Sequence, residues 1–141
     1  MAKSVKSDAR AGAVGRAPAM EPTTVAVLCV AAWIIPGAGH LWQGRHQKGI
    51  VFLVALTLMF GLGLMLEGRI FSFLPSEPLV ALAAIADLGL GLPYVLARFV
   101  GAGAGNVVSA TYEYGNTFLI VAGLLNFLVI IDAFDIALGR K

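Results

Sequence analysis

The chain has 141 residues, of which 59% are hydrophobic and 13% are charged, and its formal net charge is +2. Soluble domains carry about 25% charged residues, so this chain lacks the polar surface that a fold in water exposes. The composition therefore indicates a membrane protein, and so small a net charge argues against a nucleic-acid partner. The length fits a single domain, because four spans of about 20 residues would use most of it.

The first 22 residues are rich in alanine, glycine, serine and basic side chains, including Lys3, Lys6, Arg10 and Arg16. They contain almost no large apolar residue and cannot bury enough surface to offset the entropy lost on ordering. We predict a disordered basic tail over residues 1–22 and a membrane domain over residues 23–141.

Four apolar segments follow the tail, and each is long enough for a membrane-spanning helix. The predicted helices cover residues 24–42, 49–66, 79–99 and 117–137. In the third, Pro93 predicts a kink and not a break, since membrane helices tolerate proline. The predicted fold is therefore all-α: an integral membrane four-helix bundle of two helical hairpins.

An alternative for the first segment is a cleaved signal peptide. Val25 to Ile35, followed by Pro36-Gly37-Ala38, has the outline of a signal core and cleavage region. The preceding tail is long for a signal peptide and Trp33 lies close to the cleavage point, so we favour a retained helix.

The turn between the first two segments combines glycine with aromatic and basic residues. Glycine permits a positive φ and close backbone approach, which a tight helical hairpin requires. Tryptophan and arginine suit the membrane surface, where they contact lipid headgroups. The glycine spacing does not match a nucleotide-binding G-x-G-x-x-G motif. The predicted turn and interface residues are Pro36, Gly37, Gly39, His40, Trp42, Gly44 and Arg45.

The run Gly39-His-Leu-Trp-Gln-Gly-Arg45, followed by Lys48-Gly49, resembles the Gly-His-x-(Tyr or Trp)-x-Gly-(Arg or Lys) hairpin signature of the two-transmembrane domain family. Trp42 stands where tyrosine is common in that signature. The stretch from Ala122 to Ala133 is similar to the last helix of a bacterial four-span membrane protein family of uncharacterised function. These resemblances imply a bacterial membrane architecture and no particular activity.

Asp87 lies in the middle of the third predicted helix, roughly 12 Å from its start at 1.5 Å per residue. A charged group at that depth is costly and must face protein or water. Asn126, near the centre of the fourth helix, is at matching depth and is the expected partner. Such a pair is either a packing hydrogen bond between helices, which we favour, or part of a proton or ion relay.

The remaining polar groups do not form a recognisable active site. Asp132 and Asp135 share a face near the end of the last helix, but two carboxylates alone make a weak cation site. His40 and His46 lack the spacing of metal ligands, and no pattern suggests a nucleophile with its base. We therefore predict no enzymatic activity, no cofactor and no metal.

Lysine and arginine residues bias the orientation of membrane helices. Four spans would place seven of the ten basic residues on the side of both termini, leaving Arg45, Lys48 and Arg98 opposite. This distribution predicts a multi-pass protein of the bacterial inner membrane with both termini in the cytoplasm. The predicted role is structural or accessory, within a homo-oligomer or a larger membrane complex. The alternative is a small transporter or channel-like oligomer that uses Asp87 and Asn126.

Overall fold

The computed structural model of the protein describes residues 18–141, so the predicted disordered tail lies outside it except for its last five residues. Over the described range the chain is all-α, as predicted, and it contains no strand beyond one isolated bridge between Arg69 and Ala104. The six helices are α1 (Pro22–Ile34), α2 (Ala38–Trp42), α3 (His46–Met65), α4 (Pro78–Leu88), α5 (Leu92–Phe99) and α6 (Tyr112–Ala137).

The two long helices, α3 and α6, lie antiparallel at the centre of the molecule. Gly63, near the end of α3, packs against Leu119 near the start of α6, while Phe52 and Asp132 line one groove at the opposite end. We call the end with the start of α3 and the end of α6 the turn end, and the opposite end the loop end. Both helices are long and apolar enough to cross a membrane.

Residues 24–42, predicted as one helix, form two helices, and the chain returns in the second to the end from which the first starts. α1 ends at Ile34, just before Pro36, because the residue preceding a proline is disfavoured in a helix. Gly37 then takes a φ of +84° and starts α2 in a new direction. The backbone N–H of Met20 donates to Ala137, and the Gln43 side chain donates to the carbonyl of Ala133. Both ends of residues 20–43, the returning segment, therefore lie at the turn end.

The predicted third helix, residues 79–99, is broken into α4 and α5, which meet at an angle of 107°. The break lies at Gly89–Gly91, where Gly91 has a φ of +62°. Pro93 is in the first turn of α5, where its missing N–H costs nothing, so the predicted kink at Pro93 is wrong. The described residues thus hold two helices long enough to cross a membrane, or three if this bent segment counts as one.

The two halves of the chain repeat one order of elements. Each begins with a Glu-Pro pair, Glu21-Pro22 or Glu77-Pro78, where proline starts a short helix. A glycine of positive φ follows, Gly37 or Gly91, then a shorter helix and finally a long one. Packing differs between the halves. In the second half α4 packs against the long helix of its own half, α6, whereas α1 packs against the long helix of the other half, which is also α6.

Candidate functional site

The bend between α4 and α5 lies against the middle of α6, in direct backbone contact. A Cβ on Gly123 would be 1.7 Å from the carbonyl oxygen of Ala86, and a Cβ on Gly89 would be 2.6 Å from the Phe127 ring. On its other side the bend meets the returning segment, since a Cβ on Gly91 would be 2.0 Å from the carbonyl oxygen of Trp33. Only glycine permits these approaches.

Side chains from distant parts of the chain hold the bend. A helix that ends leaves carbonyl groups without partners, and here two of them find side-chain donors. The Trp33 indole N–H donates to Leu88 at 3.0 Å, and the Asn126 amide donates to Gly89 at 2.8 Å. Asp87, near the end of α4, accepts a hydrogen bond through Oδ2 from the backbone N–H of Phe71 at 2.9 Å.

Asp87 lies at the end of α4 and Asn126 contacts the bend that follows it, but the expected hydrogen bond between them is not formed. Instead, Asn126 donates to the carbonyl of Gly89 in the bend, and Asp87 accepts from the backbone N–H of Phe71, which lies in the loop before α4. Both side chains are fully buried, and the second oxygen of each, Asp87 Oδ1 and Asn126 Oδ1, has no hydrogen-bond partner in residues 18–141. A buried acceptor without a donor costs about 1–3 kcal/mol. Each of the two residues therefore leaves one buried acceptor oxygen without a donor in residues 18–141.

The acidic residues near the end of α6 form ion pairs with the last two residues of the chain. Lys141 contacts Asp132, and Arg140 lies 3.4 Å from Asp135. The hydrogen bond to Asp132 raises the pKa of the Lys141 ammonium above its ordinary value.

His40 is fully buried beneath this acidic end. Its Nε2 lies 3.6 Å from Asp132 Oδ2, and its ring packs on Phe52 with centroids 5.1 Å apart. The side chain of His40 therefore lies inside the protein and not on its surface, because α2 begins in a new direction at Gly37. Residues 18–141 contain no group of three or more metal-ligating side chains around it or elsewhere.

The predicted turn residues divide into an inner and an outer set. Pro36, Gly37 and Gly39 are buried, and a Cβ on Gly39 would meet Ala133 at 2.9 Å. Trp42, Gly44 and Arg45 are exposed, as an interface position requires, and Gly44 turns the chain with a φ of +75°. The stretch thus supplies helix packing in its first half and a surface turn in its second.

Sequence reasoning missed the importance of Trp33, Gly89 and Gly123. Trp33 acts on a carbonyl 55 residues away, which no local pattern reveals. Gly123 carried a weak signal, because it lies three residues before Asn126 and so on the same face of α6.

Fold and site together define an all-α protein with two or three helices long and apolar enough to cross a membrane. Residues 27–141 match the family model described as a family of unknown function, DUF6677, and the chain belongs to that family. The expectation of an uncharacterised family is confirmed to this extent. No curated protein and no solved structure matches the chain.

Proposed function

We propose that the protein is a small polytopic membrane protein with a structural or accessory role, which associates with itself or with a larger membrane complex. The observation that carries this proposal is how the polar side chains around the bend are used. Trp33, Asn126 and Asp87 each bond to backbone groups and hold one bend in place. Side chains committed to fixing the backbone favour a rigid scaffold over a moving catalytic or transport element.

Helix α5 supports association with a second copy or a partner. Of its eight residues only Ala97 is buried, while Val95, Leu96 and Phe99 are 51%, 53% and 89% exposed. Such a surface must contact lipid or protein, because it would be unfavourable in water. A second copy that packs along α5 is the simplest partner.

The charge distribution supports a bilayer location with the turn end in the cytoplasm. Basic residues of the first 16 positions precede Met20, which is bonded to the turn end. The loop end carries only Arg69 and Arg98 in the described residues. Basic residues favour the cytoplasmic side, so both termini are proposed to lie there, in a bacterial inner membrane. The turn end also contains Arg45, Lys48, Arg140 and Lys141.

Association is tested with the full chain in detergent and in native membranes. In a Cys29→Ala background, Leu96→Cys on α5 should give disulfide-linked dimers, whereas Leu58→Cys on the exposed side of α3 is the matched control. Light scattering should report a dimer or a complex with a co-purified partner. A strictly monomeric species with no partner and no cross-link at residue 96 would contradict the proposal.

A second candidate is a small transporter or channel-like oligomer that uses Asp87 and Asn126. The specific observation in its favour is the pair of buried oxygens without partners at a broken helix. Discontinuous helices with free polar groups near the middle of a membrane are a common form of ion and substrate site. In proteoliposomes, Asp87→Asn should abolish proton- or cation-coupled flux, while Asp135→Asn should leave it unchanged. No flux in the unmodified protein would exclude this candidate.

A further inference from the structure

Two cations at the turn end have no acidic partner. Among residues 18–141, Asp132 pairs with Lys141 and Asp135 with Arg140, while Glu21, the third acid at this end, forms no ion pair. Arg45 and Lys48 take part in no ion pair there, and both are exposed. They line an open hollow of about 390 Å³ together with Gly44, His46 and Gln47. The side chains that line this hollow therefore include two cations and no acid.

An apolar groove of about 420 Å³ lies next to this hollow, between α3 and α6. Its walls include Phe52, Ala55 and Met59 of α3 and Leu125 and Leu128 of α6. Only one charged residue, Asp132, lines it, and Lys141 neutralises that charge. The groove thus suits a hydrocarbon chain and does not repel an anion at its mouth.

The hollow and the groove are in line along one face of α3. Lys48, Phe52, Ala55 and Met59 follow each other at spacings of four, three and four residues, which places them on one side of a helix. Lys48 therefore lies one turn beyond the end of the groove, on the side of the turn end. From Lys48 to Met59 this face extends about 16 Å at 1.5 Å per residue.

We propose that this site binds one anionic phospholipid, with its phosphate headgroup on Arg45 and Lys48 and one acyl chain in the groove between α3 and α6. Charge complementarity selects the headgroup, because basic side chains at the membrane surface attract anionic lipids over zwitterionic ones. The aliphatic stem of Lys48 can extend from the groove to the headgroup level while its ammonium stays hydrated. The proposal goes beyond the accessory role and depends only on the protein's residence in a bilayer.

The test is native mass spectrometry of the full chain in detergent, titrated with phosphatidylglycerol or phosphatidylcholine. We expect one phosphatidylglycerol to be retained about tenfold more tightly than phosphatidylcholine. Arg45→Ala/Lys48→Ala should remove this preference. Arg69→Ala/Arg98→Ala is the matched control, because it removes the same charge at the loop end.

Two further variants test the groove itself. Ala55→Trp and Leu128→Trp fill it from opposite walls at exposed positions, and each should weaken retention of either lipid. Inorganic phosphate at millimolar concentration should not displace the lipid, since a free anion gains nothing from the groove.

Three results would overturn the proposal. They are equal retention of both lipids, equal loss in the double variant and its loop-end control, and displacement by phosphate alone. Unchanged retention in both tryptophan variants would likewise exclude the groove.

Discussion

Trp33 donates its indole N–H to the carbonyl oxygen of Leu88, across 55 residues of the chain. This bond joins the innermost part of the returning segment to the end of α4. Asn126 of α6 holds the next carbonyl, that of Gly89. The bend is therefore fixed from two sides by helices that belong to different halves of the chain.

Replacement of Asn126 by leucine should destabilise the protein although the branched shape of the side chain is kept. The change removes the amide that donates to Gly89 and leaves a buried carbonyl without a partner. We expect a loss of about 1–3 kcal/mol in the free energy of unfolding. The measurement is chemical or thermal unfolding in detergent, followed by circular dichroism. Gln47→Leu, at an exposed position whose side chain makes no hydrogen bond within residues 18–141, is the control and should change stability by about 0.5 kcal/mol or less.

Two glycine-to-alanine variants should behave in opposite ways. Gly123→Ala places a Cβ 1.7 Å from the Ala86 carbonyl oxygen, so α4 must move away from α6. Overpacking of this kind costs about 1–3 kcal/mol, and more where backbone must shift. Gly61→Ala meets nothing within 4 Å and should be neutral or stabilise α3 by up to about 1 kcal/mol. Equal melting temperatures for the two variants would contradict the backbone contact at Gly123.

The returning segment makes a direct prediction about membrane topology. In a four-span arrangement, the turn near Gln47 would lie opposite both termini, and Ser76 would lie with them. Because residues 20–43 return to the turn end, we expect Gln47 and Lys141 on one side and Ser76 on the other. Single cysteines at residues 47, 76 and 141, in the Cys29→Ala background, are labelled with an impermeant maleimide in sealed vesicles. Labelling of residues 76 and 141 from the same side would support the four-span arrangement instead.

The pair of Lys141 with Asp132 should stabilise the end of α6 in a pH-dependent way. The pKa of Lys141 is raised in the folded chain by its hydrogen bond to Asp132, so the ammonium form is favoured there. The contribution is complete below the ordinary lysine pKa near 10.5 and is lost as pH rises through the higher folded value. Lys141→Gln should therefore be less stable than the parent protein at pH 8, and the difference should shrink above pH 10.5. The effect should be small, because the ammonium is exposed and screened by solvent. A difference that is constant with pH would exclude the ion pair as its cause.

The two uninterrupted helices could be predicted from the sequence because each is an apolar run long enough for a span, a property that is local. Residues 49–66 and 117–137 were expected, and α3 and α6 extend each by a few residues at the start.

The two broken segments could not be predicted in the same way. An apolar run that crosses a membrane and one that turns back have the same composition, so hydropathy does not distinguish them. The contacts that decide between them join residues far apart in the sequence: the carbonyl of Ala137 accepts from Met20, and that of Leu88 accepts from Trp33. A kink was predicted near Pro93, whereas the chain breaks at Gly91, whose φ is positive.

The position of α6 as common partner has a consequence for how the chain is made. Helices α1, α2, α3 and α4 all pack against α6, which is the last helix in chain order. Synthesis proceeds from the N terminus at about 5–20 residues per second. Several seconds therefore pass between the synthesis of the earlier helices and that of α6, against which they pack. Until Asn126 emerges, the carbonyl of Gly89 lacks its donor. Biogenesis of this protein therefore includes an interval in which Trp33 alone supplies a side-chain donor to the central bend.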